Sequence, residues 1–163
     1  MGVAGSGKTT VGSRLAEALG WEFADADSFH SAENVEQIRR GIPLTDAERA
    51  PWLHAIREAM LHWVAEKKNV VLACSALKQS YRDQLYHGPE AKLVYLKGSY
   101  DLIWQRLSRR KGHFATARLL KSQFETLEEP QDALNVDIER SPEEIVEEIR
   151  SRLGLAYNRV AQN

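Results

Sequence analysis

Apolar positions recur at two spacings along the chain, and their alternation predicts the elements. Lys8 to Leu19 carries Val11, Leu15 and Leu19 four residues apart and stops at Gly20, which predicts a helix with one buried stripe. Trp21 to Asp25 reads as a short strand, and Ser31 to Arg40 as a short helix ended by Gly41. Thr45-Asp-Ala-Glu48 has capping-box spacing and Pro51 suits a first turn, so a helix starts there. Trp52, Leu53, Ile56, Met60, Trp63 and Val64 give that helix a broad apolar face. Val70 to Cys74 is an unbroken run of β-forming residues, the pattern of a parallel strand covered on both faces. Leu77, Tyr81 and Leu85 line a further helix, Ala91 to Leu96 is a strand, and Tyr100 to Arg109 is a helix with Ile103 and Leu107 on one side. Ala115 to Leu127 reads as helical and Leu134 to Ile138 as the last strand. Ser141-Pro-Glu-Glu144 combines a capping box with proline at the first position and opens a final helix that Gly154 ends. Four strands, each followed by helical sequence, predict a three-layer α/β domain built on a mainly parallel sheet.

Composition narrows the class. A chain of 163 residues with 43% hydrophobic and 28% charged residues can build one core. No apolar run approaches the roughly 18 residues needed to cross a bilayer. Lys and Arg number 22 against 23 Asp and Glu, so no basic surplus points to nucleic acid. The one cysteine, Cys74, cannot form an internal disulfide or a cysteine-rich zinc site, and its apolar setting reads as reduced, buried and cytoplasmic.

Gly2-Val-Ala-Gly5-Ser6-Gly7-Lys8-Thr9 satisfies every specified position of the phosphate-loop pattern, with an amphipathic helix directly behind it. Glycines let the backbone curl so that successive N–H groups face phosphate oxygens, and the helix adds its positive end. Lys8 reaches the phosphates and the Thr9 hydroxyl is a Mg²⁺ ligand, so a nucleotide with Mg²⁺ is expected. Met1-Gly2 through Ser6 also fits the N-myristoylation pattern. That match is read as a coincidence, because a lipid on Gly2 would sit in the phosphate loop. No Asn/Thr-Lys-x-Asp motif is present, which argues against a GTPase, and the strand from Val70 has no terminal acid of the Walker-B type. The acids stand instead at Asp25 and Asp27, at the carboxyl edge of the sheet. One of them can organise Mg²⁺ through water and the other can accept a proton from an attacking hydroxyl. The bland alternative is a helix-capping pair.

Beyond the phosphate loop, further blocks occur in order: Asp25-Ala-Asp27-Ser-Phe-His30, Asn34, Gly41-Ile-Pro43-Leu44, Arg49-Ala-Pro51-Trp52-Leu53, Cys74-Ser-Ala-Leu-Lys78 and Tyr81-Arg82-Asp83. Arg106-Leu107, Gly112-His113-Phe114 and Ser122-Gln123-Phe124 through Leu127 follow. Together they closely resemble the gluconate kinases of the small P-loop kinase group, from Met1 to about Ile138. The resemblance implies transfer of the ATP γ-phosphoryl group to the 6-hydroxyl of D-gluconate. It implies Lys8, Asp27 and Arg110 as catalytic residues, with Asp27 the base. Gly2, Gly5, Ser6, Gly7, Lys8, Thr9, Thr10, Arg106 and Arg110 would bind nucleotide. Thr9 and, through water, Asp25 would hold the metal. His30, Arg49, Arg82, His113 and Gln123 would join Asp27 around the acceptor, pairing its carboxylate and hydroxyls. Residues 1–154 would form one kinase domain with a mobile lid around 106–127, and 155–163 a tail. Relatives of this kind are often homodimers, so a homodimer is the expected assembly, with no nucleic-acid or membrane partner. The runner-up readings are a kinase for another sugar acid or polyol, and a silent nucleotide-binding module. Trp52 is assigned to core packing, Cys74 to a packed strand, and Asp46 and Glu48 to a helix start.

The sequence departs from the family pattern in four places. Ala26 stands where Gly is usual, Ser31 where Pro is usual and Gln37 where Lys is usual, and the stretch from Pro130 to Asp137 is shorter. Only Met1 precedes the phosphate loop, whereas the family's first strand lies mid-sheet in the order 2-3-1-4-5. The expectation is therefore a central strand that is missing or truncated, with a natural start upstream.

Overall fold

The computed structural model describes residues 1–85, 88–109 and 113–156, without the side chains of 113–117. Among these residues the elements run α1 (Lys8–Leu19), β1 (Glu22–Asp25), a 3₁₀ turn (Ala26–Phe29), α2 (Ala32–Arg39), α3 (Asp46–Ala65) and β2 (Val70–Ala73). They continue with α4 (Gln79–Leu85), β3 (Val94–Lys97), α5 (Tyr100–Ser108), α6 (His113–Thr126), β4 (Leu134–Asp137) and α7 (Pro142–Leu153). Each helix and strand overlaps the segment the periodicity predicts; most ends are trimmed by one to three residues, while α6 starts two residues earlier and β3 runs one residue further.

The helix starts follow from side-chain chemistry. Thr45 with Glu48 and Ser141 with Glu144 form complete capping boxes at α3 and α7. Ser99 caps α5. Ser31 accepts from the Asn34 N–H and caps α2, so replacing the usual proline with serine keeps a helix start.

The strands pair in parallel as β1 with β2, in register Glu22 to Val70 through Asp25 to Ala73, and as β3 with β4, from Val94 with Leu134 to Lys97 with Asp137. No strand precedes α1. Residues 1–3 lie between the two pairs: the Gly2 N–H donates to Ser75 O at 3.4 Å, the Leu96 N–H donates to Met1 O at 3.0 Å, and the Met1 amine donates to Val94 O. The two parallel pairs are separate sheets, with the backbone of residues 1–3 between them. A cavity of about 410 Å³ opens beside it, lined by Val70 to Cys74, Lys92 to Val94 and Leu15 among others. This explains one difference from the sequence reading. Val70, Val71 and Leu72 are half-buried because they face the cavity, where a strand covered on both faces was expected.

Helix α1 packs on β1 and β2 and against α7, which also covers β4. Gly12 permits the close approach to β1, since a Cβ there would lie 2.9 Å from the Phe23 ring. Helix α3 is 20 residues, about 30 Å long. Trp52, Leu53 and Ile56 in its first half are buried, whereas Val64 is 54% exposed, so the expected apolar face is covered only where α4 and the 3₁₀ turn reach it.

The buried side chains divide into two clusters. One joins Val3, Val11, Leu15, Leu96, Ile103, Leu107, Leu120, Val136, Ile138 and the inner face of α7. The other joins Ala26, Trp52, Leu53, Ile56, Cys74, Ala76, Tyr81 and Leu85. No helix among the described residues is long and apolar enough to cross a membrane.

Candidate active site

The phosphate loop is shaped by its own backbone and by two helices behind it. Gly5 and Gly7 take φ of 80° and 96°, values that a side chain disfavours. A Cβ on Gly5 would also come within 2.9 Å of the Leu107 side chain, so α5 presses directly on the loop. Gly7 is the N-cap of α1 and supplies no side-chain cap, which leaves the first N–H groups of α1 open to an anion. Lys8 Nζ donates to Val3 O at 2.9 Å across the loop. Burial pulls the Lys8 ammonium below its ordinary range, and the nearby charges of Asp27, Cys74 and Asp25 work against that pull. A phosphate here would add negative charge where the lysine lacks full compensation. Ser6 is buried, and Thr9 and Thr10 are exposed on the first turn of α1.

The acid turn is fixed to this loop from several sides. Thr9 Oγ1 donates to Asp25 Oδ2 at 2.9 Å. Asp25 Oδ1 accepts the Asp27 N–H at 3.1 Å, and Ser28 Oγ donates to Asp25 O at 2.7 Å. From α3, Trp52 Nε1 donates to Ala26 O at 2.7 Å, and Ala26 is fully buried between the two acids. Alanine in place of the family's glycine therefore fits, because the 3₁₀ turn needs only its carbonyl. Asp27 is exposed, and its charge acts on Lys8. The Asp25 side chain does cap the turn, as the bland reading held, and also reaches Thr9; the two readings describe one carboxylate. Thr9 and Asp25 offer a hard, all-oxygen pair that fits Mg²⁺ with several retained waters.

Helices α3 and α4 meet beside the acid turn. His30 stacks on Trp52, with ring centroids 4.5 Å apart and planes 7° apart. Burial lowers the His30 pKa, with Asp27 opposing and the Arg49 charge adding to the pull. Its Nδ1 is buried without a partner among the described residues. The Arg49 guanidinium lies over the Tyr81 ring, 5.8 Å from its centroid, and Lys78 approaches the same ring at 5.3 Å. Asp46 accepts from Lys78 Nζ at 2.8 Å and from the Tyr81 hydroxyl, which ties the start of α3 to α4. Gln37 Nε2 donates to Glu48 Oε1 at 2.9 Å, so this side chain is engaged with the capping box.

Three further site residues make contacts within the protein. Arg82 is 5% exposed, and its guanidinium donates to Ala76 O at 2.9 Å, Leu77 O at 3.0 Å and Gln79 Oε1. It braces the loop after β2. Gln123 Oε1 accepts the Ala4 N–H at 2.6 Å, so it touches the phosphate loop. Arg106 donates to Ile138 O at the end of β4. Arg110 and the His113 side chain lie outside the described residues. Trp52, assigned to the core, is in the core and also holds the acid turn; its indole N–H is the signal that could have found it. Burial pushes the Cys74 thiol up to about 11, which leaves it inert at neutral pH.

Comparison with known proteins agrees with this geometry. The shikimate kinase family profile matches residues 4–154. The probable gluconokinase of Mus musculus is 44% identical, over 94% of this chain and 95% of its own. The thermosensitive gluconokinase of Escherichia coli (strain K12) is 40% identical, over 98% and 89%. The crystal structure of a gluconokinase from Sinorhizobium meliloti 1021 superposes with a TM-score of 0.84 at 43% identity, covering 94% of this chain and 89% of that one. A phosphate loop facing an acid turn, on a fold and a sequence shared this fully, places the chain in the shikimate kinase family and, within it, among the gluconokinases.

Proposed function

We propose that this protein transfers the γ-phosphoryl group of ATP to the 6-hydroxyl of D-gluconate, giving 6-phosphogluconate and ADP. The observation that carries the reading is the Thr9–Asp25 bond, which sets the acid turn against the phosphate loop. The open amides of the loop and α1, with Lys8, hold the phosphates and draw charge from the transferring group. Asp27 accepts the proton of the 6-hydroxyl as its oxygen bonds to the γ-phosphorus and the bond to the bridging oxygen of ADP breaks. Thr9, and Asp25 through water, would hold Mg²⁺, which when bound neutralises phosphate charge. Arg49, propped on Tyr81, pairs with the acceptor carboxylate, and His30 bonds an acceptor hydroxyl. A lone buried cysteine is in keeping with a reducing cytoplasm.

The test is coupled ADP release across a panel of D-gluconate, other sugar acids, polyols and shikimate. Gluconate should give the highest kcat/KM. Equal rates with gluconate, shikimate and buffer would defeat the proposal.

A further inference from the structure

We propose that Gln123 is a positioning residue of the phosphate loop, holding the Ala4 amide so that the amides after it face the nucleotide phosphates. The inference rests on the nucleotide half of the reading above and is independent of which acceptor is used.

The contact joins residues 119 positions apart and is short, 2.6 Å from the Ala4 nitrogen to Gln123 Oε1. Its mounting is rigid. Leu120, one turn earlier on α6, is fully buried in the same cluster as Val3, Ile103 and Leu107. Phe124, the next residue, meets the Tyr100 ring edge-on at 5.3 Å. Past the end of α6, the Glu128 N–H donates to Leu77 O at 2.9 Å, and Glu128 Oε2 accepts the Gln79 N–H at 2.6 Å. The carboxamide is therefore delivered to the loop by a helix fixed both before and after it.

The loop needs such a fixed point. Val3 O already accepts from the Ser6 N–H at 3.2 Å and from Lys8 Nζ, which curls the chain inward. The Ala4 N–H is bonded by Gln123, and Gly5, the next residue, is backed by Leu107. With Val3 O and the Ala4 N–H both tied to protein, rotation of the peptide they share is restrained, and the amides that follow start from a fixed plane. Pre-organisation of this kind lowers the ordering cost of binding an anion. The alternative assignment, Gln123 as an acceptor ligand, would use its Nε2 donors or the second lone pair of Oε1, so experiment has to separate the two.

The two assignments separate in a binding experiment without acceptor. A nonhydrolysable ATP analogue is titrated calorimetrically into wild type, Gln123→Met and Gln123→Ala, and KM values for ATP and gluconate are then measured. Gln123→Met keeps side-chain length and apolar packing while removing the acceptor oxygen, so it covers the case in which Gln123→Ala fails to fold. Losing one amide hydrogen bond should raise the analogue Kd about 2- to 10-fold and the ATP KM in parallel. The gluconate KM should move less than about twofold. An unchanged analogue Kd in folded Gln123→Met overturns the proposal, whether or not the gluconate KM rises. Failure of gluconate as substrate would leave the analogue titration standing, so the two readings fall separately.

Discussion

Replacing Trp52 with Phe isolates the bond that holds the acid turn. The indole N–H donates to a carbonyl on a residue with no exposed surface, and Trp52 itself is 2% exposed. Phe leaves that carbonyl unsatisfied, which costs about 1–3 kcal/mol. The smaller ring also leaves a gap beside Leu53 and Ile56, adding about 1–2 kcal/mol. A chain of this size loses roughly 2–4 °C of Tm per kcal/mol, so the expected drop is roughly 4–20 °C. The effect on catalysis is separate from the effect on stability. The carbonyl lies between the two acids, and a turn released there moves Asp27 relative to the phosphates. A displacement on the order of 1 Å can cost about 10²-fold, so a kcat reduced by about 10-fold is expected at 20 °C, with the ATP KM within about twofold. Thermal melts and coupled ADP release measure both. An unchanged Tm would show that the bond contributes nothing. A destabilised variant with wild-type kcat would break the link between Trp52 and the position of the acids.

Two further outcomes follow from the same geometry. Asp27→Asn should lower kcat by about 10²-fold or more and leave ATP affinity intact, as read by steady-state kinetics and analogue titration; full retained activity dismisses Asp27 as the base. In acid, Glu48 should matter: bonds from the Thr45 N–H, Gln37 and the Thr45 hydroxyl hold its carboxyl down to about 2, against an ordinary 4.5. Its folded pKa is depressed, so its contribution is complete above about pH 4.5 and is lost as pH falls towards about 2. Glu48→Gln should flatten that part of the stability curve in pH-dependent melts, and parallel curves for the two proteins would remove the effect.

Much of this was legible in the sequence because the signals are local. The two capping boxes, the glycine stops at Gly20 and Gly154 and the phosphate loop each depend on residues within a few positions of one another. The acid turn was legible as chemistry at a sheet edge. What escaped depends on distant contacts. Arg82 reads as a cation suited to a carboxylate, but the fold buries it and spends its donors on the carbonyls of Ala76 and Leu77. Gln123 accepts the Ala4 N–H from α6, a pairing no local pattern encodes. Trp52 reads as core by its periodicity, and periodicity is silent about a polar atom on an apolar ring. The run at Val70 matched a strand covered on both faces, while the number of its neighbours is a property of the whole sheet.

The two buried clusters also bear on how such a protein can change over time. The phosphate loop is rooted in one through Val3, Ile103 and Leu107, and the acid turn in the other through Ala26 and Trp52. Substitutions around Tyr81 and Leu85 can reshape the acceptor side while the donor side keeps its packing. A lineage can thus drift from one hydroxyl-bearing acceptor to another without first losing its phosphoryl donor. The constraint on that drift is the Thr9–Asp25 bond, which spans the two halves and must survive every intermediate.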